Sequence, residues 1–149
     1  MNSIIIPCPH CSTKNRVPAM RQHHHPRCSR CKKQLEVGPA AVVVDLDDQD
    51  LDMVLRDADL PLVVDCYSPT CGPCRMLAPV LERLARVFLG RLIIAKLDTS
   101  HNPHAAARFN IRGVPTLLCF KNGRVVNQLV GALPEASLID RFNTFLADN

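Results

Sequence analysis

The pattern of apolar and polar positions divides the chain into two parts, with a boundary near Gly38. Residues 1–38 show no sustained repeat of either 2 or 3.6 residues, the repeats of strands and helices. From Ala40 onward, short apolar runs alternate with segments of helical periodicity. The pattern predicts a small separate module over residues 1–38 and a globular domain over residues 39–149.

Apolar runs and periodic segments alternate along residues 39–149 in the order β-α-β-α-β-α-β-β-α. Asn122-Gly123 lies between the last two apolar runs and predicts a hairpin turn. This order predicts an α/β fold, a mixed central sheet with helices on both faces. The predicted strands cover residues 42–44, 62–67, 92–97, 116–120 and 125–130, and the predicted helices cover residues 47–55, 72–88 with Pro79 as a kink, 103–109 and 134–146.

A Cys71-Gly72-Pro73-Cys74 motif lies between the predicted strand over residues 62–67 and the long helix that follows it. Cys71 is expected at the helix N-terminus, where unpaired amides and the helix dipole lower a cysteine pKa to about 3.5–7.5. Cys74, one turn further, can attack a mixed disulfide formed by Cys71. Gly72 keeps the approach open, and Pro73 suits a first helical turn. The context favours redox chemistry over half of a metal site.

The other cysteines suggest a metal site in residues 1–38. The chain has eight cysteines, and six of them form three C-x-x-C pairs. The first two pairs have the spacing of a zinc ribbon, which predicts one structural Zn²⁺ on Cys8, Cys11, Cys28 and Cys31. The alternatives are two further redox pairs or two local disulfides. Zinc is favoured because this segment has no Phe, Tyr or Trp and cannot fold on apolar burial alone.

Histidines are further potential ligands in the module, at position 10 and at positions 23–25. Four cysteines already complete a tetrahedral zinc site, so no histidine is required. Residues 23–25 are expected to form a solvated loop.

The charge and the hydropathy of the chain limit which kinds of partner and which cellular compartment we expect. Seven Lys and Arg against Glu36 alone give residues 1–38 a charge of +6, and the remainder carries −2. A basic module permits nucleic-acid binding, but without aromatic residues for base stacking we do not expect it. No apolar run approaches the roughly 18 residues of a membrane span, and residues 4–6 are too short for a signal peptide. We therefore expect a cytoplasmic protein that does not enter membranes.

Residues from about 40 to 149 resemble the thioredoxin family, and the whole chain resembles the branch with an N-terminal zinc-binding extension. The resemblance implies the thioredoxin fold, a monomer without organic cofactor, and a protein disulfide reductase regenerated by thioredoxin reductase. It rests on Val63-Val64-Asp65, Cys71-Gly72-Pro73-Cys74, Met76 to Pro79, Ala95-Lys96-Leu97-Asp98, Arg112-Gly113-Val114-Pro115-Thr116 and Val130-Gly131-Ala132.

The resemblance also implies roles for three further residues. Asp65 resembles a buried carboxylate that assists proton movement at the resolving Cys74, and a buried acid with a raised pKa can do so near neutrality. Lys96 would be the charge partner of Asp65. Pro115 resembles a cis-proline that faces the active site, where the preceding backbone pairs with substrate.

The chain departs from the family pattern beside the motif. Thr70 stands where the family usually has Trp, which reduces the apolar surface there and bears on substrate preference. Cys66 follows Asp65 and is expected to be a packed thiol, with a regulatory role left open, while Cys119 is expected in the core. Two alternatives to a reductase remain: a zinc- or oxidant-responsive holdase, and a zinc module that binds nucleic acid or another partner.

Overall fold

The computed structural model describes residues 1–148, which form a two-stranded and a five-stranded sheet. The strands are β1 (Ser3–Pro7), β2 (Lys14–Pro18), β3 (Val44–Asp45), β4 (Leu62–Tyr67), β5 (Ile93–Asp98), β6 (Thr116–Lys121) and β7 (Arg124–Val130). The α-helices are α1 (Asp48–Asp57), α2 (Gly72–Val87), α3 (Pro103–Arg108) and α4 (Glu135–Ala147), and short 3-10 helices cover Ala19–His23 and Gly38–Ala40. None of the helices in residues 1–148 is long and apolar enough to cross a bilayer.

The five-stranded sheet has the order β3-β5-β4-β6-β7. Strands β3, β5 and β4 are parallel, whereas β6 and β7 are antiparallel to their neighbours. Successive residues of the central strand β4 point to opposite faces of the sheet and belong to two different cores. Val63 lies in the core that contains Phe142 of α4, and Val64 lies in the core that contains Leu51 of α1. The predicted mixed sheet with helices on both faces is therefore confirmed.

The hairpin turn and the motif helix follow the sequence expectation. Asn122 and Gly123 have positive φ values of 52° and 76°, as a two-residue hairpin turn requires. Helix α2 continues through Pro79 instead of ending there, as expected, and the kink at Pro79 stays a prediction. These features depend on local sequence, which is why the pattern finds them.

The N-terminal module contains regular structure that the sequence pattern does not reveal. Strands β1 and β2 pair antiparallel, and each alternates exposed and buried residues. The sequence analysis finds no sustained period in this segment and therefore predicts neither strand. Each strand has only five residues, and the inward positions of β2 hold Asn15 as well as Val17, so the alternation is too short and too polar to be recognised.

The first strand of the domain covers Val44–Asp45 instead of the predicted residues 42–44, because side chains of the module bond to the backbone of Val42 and Val43. Val42 exchanges two hydrogen bonds with the side-chain amide of Gln22, both at 2.9 Å. The Asn2 amide donates to the Val43 carbonyl at 3.0 Å and accepts from the Asp45 amide at 2.8 Å. The module thus covers the outer edge of the five-stranded sheet.

Candidate active site and metal centre

Cys71 and Cys74 meet at the junction between β4 and α2. Cys71 is the N-cap of α2, and its sulfur accepts a hydrogen bond from the Cys74 amide at 3.2 Å. The two cysteines form a disulfide, with their Cα atoms 5.2 Å apart. Cys71 is half-buried, whereas Cys74 is only 3% exposed. An outside group can therefore reach the sulfur of Cys71 more easily than that of Cys74.

The loop before β6 forms the opposite wall of the site. The Cys71 sulfur lies 3.7 Å from the carbonyl oxygen of Val114, and the Val114–Pro115 peptide is cis, as expected from the resemblance. The Thr116 hydroxyl donates to the Gly113 carbonyl at 2.6 Å, and the Gly131 amide donates to the Pro115 carbonyl at 2.9 Å. These two bonds fix the backbone that faces the disulfide.

The surface around the disulfide is open. Thr70, Gly72 and Pro73 are exposed, and Met76 is 76% exposed on the first turns of α2. The Thr70 hydroxyl hydrogen-bonds to the Ser68 hydroxyl at 3.2 Å.

Asp65 is a buried acid on β4. It is only 3% exposed, and its Oδ1 atom has no hydrogen-bond partner among residues 1–148. Burial raises the pKa of Asp65 to about 7, and the positive charge of Lys96 opposes that rise. Lys96 is the register partner of Asp65 on β5, yet its ion pair is with Asp45, at 3.5 Å. Lys96 therefore acts on Asp65 through charge, without a direct ion pair.

The remaining two cysteines of the domain are packed in its cores. Cys66 and Cys119 are fully buried on β4 and β6. Burial raises the pKa of Cys66 to about 12, with the Asp65 charge adding to the effect, and raises the pKa of Cys119 to about 11. Both are therefore held as thiols, the unreactive form.

The four cysteines of the N-terminal module converge on one point. Their sulfurs all lie within 4.8 Å of one another, with Cys8 and Cys31 3.6 Å apart and Cys11 and Cys28 3.6 Å apart. A zinc ion with Zn–S bonds of about 2.3 Å brings tetrahedral sulfurs to about 3.8 Å. The arrangement therefore fits a closed four-thiolate zinc site.

The two metal-binding knuckles, residues 8–13 and 28–33, have the same backbone geometry. In each, the amide of the first cysteine donates to the carbonyl of the last residue, at 2.9 Å and 2.8 Å. Its sulfur accepts from the amide two residues later, at 3.4 Å in both knuckles. The fifth residues, Ser12 and Lys32, have positive φ values of 64° and 65°. Amides directed at sulfur favour the thiolate that binds metal.

The histidines of the module do not join this cluster. His23 is buried, contrary to the expected solvated loop, and its Nδ1 atom accepts from the Gly90 amide at 2.9 Å. Burial lowers the pKa of His23 to about 4, so it is neutral at physiological pH. His24 and His25 are exposed, as expected. His23 thus attaches the module to the loop after α2.

Sequence reasoning missed one group at these sites. Asn15 occupies an inward position of β2 and contacts both knuckles. A polar residue at an inward strand position between two pairs of metal ligands indicates that its side chain bonds to the metal site. This signal can be recognised only after the strand itself is known.

The similarity to known proteins covers both parts of the chain. The family model for Thioredoxin matches residues 42–144, and that described as Thioredoxin 2, N-terminal matches residues 7–33. A thioredoxin from Haemophilus influenzae is 43% identical over 101 residues, covering 68% of this chain and 94% of that protein. A chloroplastic M-type thioredoxin from Chlamydomonas reinhardtii is 31% identical over 130 residues, covering 87% and 93%. The chain therefore belongs to the thioredoxin family, is a thiol–disulfide oxidoreductase and carries an N-terminal zinc ribbon of the kind found in thioredoxin 2.

Proposed function

We propose that this protein reduces disulfide bonds in other proteins, with Cys71 as the attacking and Cys74 as the resolving cysteine. The observation that carries the proposal is the unequal exposure of the pair: Cys71 is half-buried at the N-terminus of α2, and Cys74 is buried behind it. The Cys74 amide bonded to the Cys71 sulfur would stabilise a Cys71 thiolate.

The proposed cycle has two exchange steps. The Cys71 thiolate attacks one sulfur of a substrate disulfide, forms a mixed disulfide and releases the other sulfur as a thiolate. The Cys74 thiolate then attacks the Cys71 sulfur, forms the Cys71–Cys74 disulfide and releases the second substrate thiol. Two electrons pass to the substrate, and the resulting disulfide corresponds to the oxidised pair in this structure.

Asp65 is proposed to accept and return the proton of Cys74. Its pKa of about 7 allows it to exchange protons near neutral pH. The charge of Lys96 supports this role by limiting the rise of the Asp65 pKa, which would otherwise leave the acid protonated. The orphaned Oδ1 atom of Asp65 is available for a transferred proton.

The surrounding residues are proposed to admit and align the substrate backbone. Gly72 and Pro73 are exposed and leave the approach to Cys71 open. Pro115 holds the Val114 carbonyl beside the reactive sulfur, where it can pair with an amide of the substrate. Thr70 makes this surface less apolar than a Trp would, which favours partners with smaller apolar contacts.

The wider setting follows from the family. We expect thioredoxin reductase to return electrons to the Cys71–Cys74 disulfide, and we expect the protein to act as a monomer in the cytoplasm. One structural zinc per chain is proposed on Cys8, Cys11, Cys28 and Cys31, where bound Zn²⁺ supplies a cross-link and no redox step. No organic cofactor is required for thiol–disulfide exchange.

The test is consumption of NADPH in the presence of thioredoxin reductase and insulin as the disulfide substrate. Wild type should turn over, and Cys71→Ser should reduce the rate to background because it removes the attacking sulfur. Cys74→Ser should instead accumulate mixed disulfides that are visible on non-reducing gels. Cys119→Ser is the matched control, because this buried thiol takes no part in the cycle. Normal turnover of Cys74→Ser would contradict the two-step scheme.

A further inference from the structure

We propose that Asn15 is the residue that positions the two halves of the metal site, joining the knuckles and holding the sulfur of Cys28. It is not a ligand itself. Asn15 lies on β2 opposite Ile6 of β1, and it is only 6% exposed. The neighbouring inward positions of the hairpin hold apolar residues, so an asparagine there must be explained by the bonds it makes.

The two ends of the Asn15 amide bond to different knuckles. Its Nδ2 atom donates to the Thr13 carbonyl in the first knuckle, at 3.0 Å. Its Oδ1 atom accepts from the backbone amide and the hydroxyl of Ser29 in the second knuckle, at 2.9 Å and 3.1 Å. One side chain therefore holds Thr13 of the first knuckle and Ser29 of the second at a fixed distance.

The same amide also reaches a ligand sulfur. Asn15 Nδ2 lies 3.6 Å from the sulfur of Cys28, which already accepts a bond from the Arg30 amide at 3.4 Å. A remaining contact, to the Ile6 carbonyl, is 3.5 Å long. An N–H directed at a metal thiolate partly neutralises its charge and restricts its position. Asn15 thus acts on the site both through the backbone and through a sulfur.

The physical consequence is a preorganised site. Without Asn15, the knuckles would be held together by the hairpin, the connecting chain, the apolar core that includes Cys8 and Cys28, and the metal itself. Bringing four sulfurs together would then cost conformational entropy at the moment of metal binding. Loss of a residue that orients metal ligands typically weakens metal affinity by about 10–100-fold.

The test compares the zinc dissociation constants of full-length variants in competition with a chromophoric chelator. Wild type should bind one zinc per chain. Asn15→Leu fills the same space without hydrogen bonds, and Asn15→Asp keeps the acceptor for Ser29 but loses the Nδ2 donor and adds a negative charge beside the thiolates. Both should raise the dissociation constant by at least tenfold. Ser3→Leu, at an outward position of the same hairpin, should stay within threefold of wild type.

The outcomes separate positioning from packing. A dissociation constant of Asn15→Leu less than tenfold above wild type would show that filling the space suffices, and would overturn the proposal. An equal loss in Ser3→Leu would overturn it too, because the effect would then be general to the hairpin. Should Asn15→Leu fail to fold, Asn15→Asp takes its place, and a loss of less than tenfold despite the added charge would overturn the proposal. Insulin reduction by Cys71 is measured separately, so failure here leaves the proposed function untouched.

Discussion

At the scale of single residues, the carboxyl group of Asp65 is the one whose ionisation depends most on the fold. An aspartate has an ordinary pKa of 3.8, and burial raises that of Asp65 to about 7. At a pH between these two pKa values, Asp65 is protonated in the folded state and ionised in the unfolded state. The free energy of unfolding therefore falls as the pH rises from about 4 to about 7, and this contribution is constant at higher pH.

The first prediction follows from this sign. Asp65→Asn removes the penalty of burying a charge, so it should equal wild type in stability near pH 4 and exceed it by up to about 4 kcal/mol at pH 8. Urea denaturation at a series of pH values measures the difference. Asp140→Asn, on the exposed side of α4, is the control and should follow the wild-type profile.

The same substitution should impair turnover, because asparagine cannot exchange a proton with Cys74. A variant that is more stable and less active would show that Asp65 is retained for chemistry at a cost in stability. If Asp65→Asn were no more stable than wild type at pH 8, the raised pKa of Asp65 would be wrong.

At the scale of elements, the β6–β7 turn depends on a contact with helix α1. Gly123 has a φ of 76°, and a Cβ atom there would lie 2.7 Å from the backbone carbonyl oxygen of Leu55. The conformation costs an L-residue roughly 1–2 kcal/mol even without a clash. Gly123 is thus required both by the turn and by the approach of α1.

The second prediction is that Gly123→Ala lowers the free energy of unfolding by about 2 kcal/mol or more. The backbone of Leu55 cannot move aside cheaply, since it belongs to a helix. Gly38→Ala is the matched control, because a Cβ atom there meets nothing within 4 Å. Urea denaturation of both variants should separate them, and equal stabilities would refute the argument.

The elements also show how far the sequence can be read. The strand over residues 62–67, the motif helix and the Asn122-Gly123 turn were predicted as the structure has them, because each depends on local pattern or turn chemistry. The five-residue strands of the module were missed. Strand β3 was misplaced because its neighbours bond to Gln22 and Asn2, which are distant in sequence.

At the candidate sites, too, the residues that local spacing identifies differ from those that only the tertiary structure reveals. Spacing identified the Cys71–Cys74 pair and the four clustered cysteines, since C-x-x-C is a local signal. The ion pair of Lys96 with Asp45, the burial of His23 and the bonds of Asn15 are products of tertiary packing. No local pattern contains that information.

At the scale of the whole molecule, the module and the domain pack against each other through apolar side chains, and the module also hydrogen-bonds to the edge of the five-stranded sheet. Ala19 and Met20 of the module pack into the core under α1, and Leu89 of the domain packs against the apolar core of the module. The side-chain amides of Gln22 and Asn2 hydrogen-bond to the backbone at the edge strand of the sheet. The order of the module therefore contributes to the stability of the domain.

The third prediction is that removing zinc destabilises the domain, although the zinc site lies in the module. Without its cross-link the module loses order, and the four hydrogen bonds from Gln22 and Asn2 are exchanged for water at a net cost of about 1 kcal/mol each. Tyr67, on β4, is the only tyrosine, and the chain has no tryptophan, so tyrosine fluorescence reports the domain alone. The urea midpoint of that signal should fall when zinc is chelated under reducing conditions.

A double variant, Gln22→Ala with Asn2→Ala, provides the control for this coupling. It removes the contacts while leaving the four cysteines intact, so its Tyr67 midpoint should start lower than that of wild type. Chelation should then lower the midpoint by less, because the interaction that transmits the effect is already absent. Equal shifts in wild type and the double variant would locate the coupling elsewhere, in the packing of Ala19 and Met20. An unchanged midpoint in wild type would show that the domain is stable without its module.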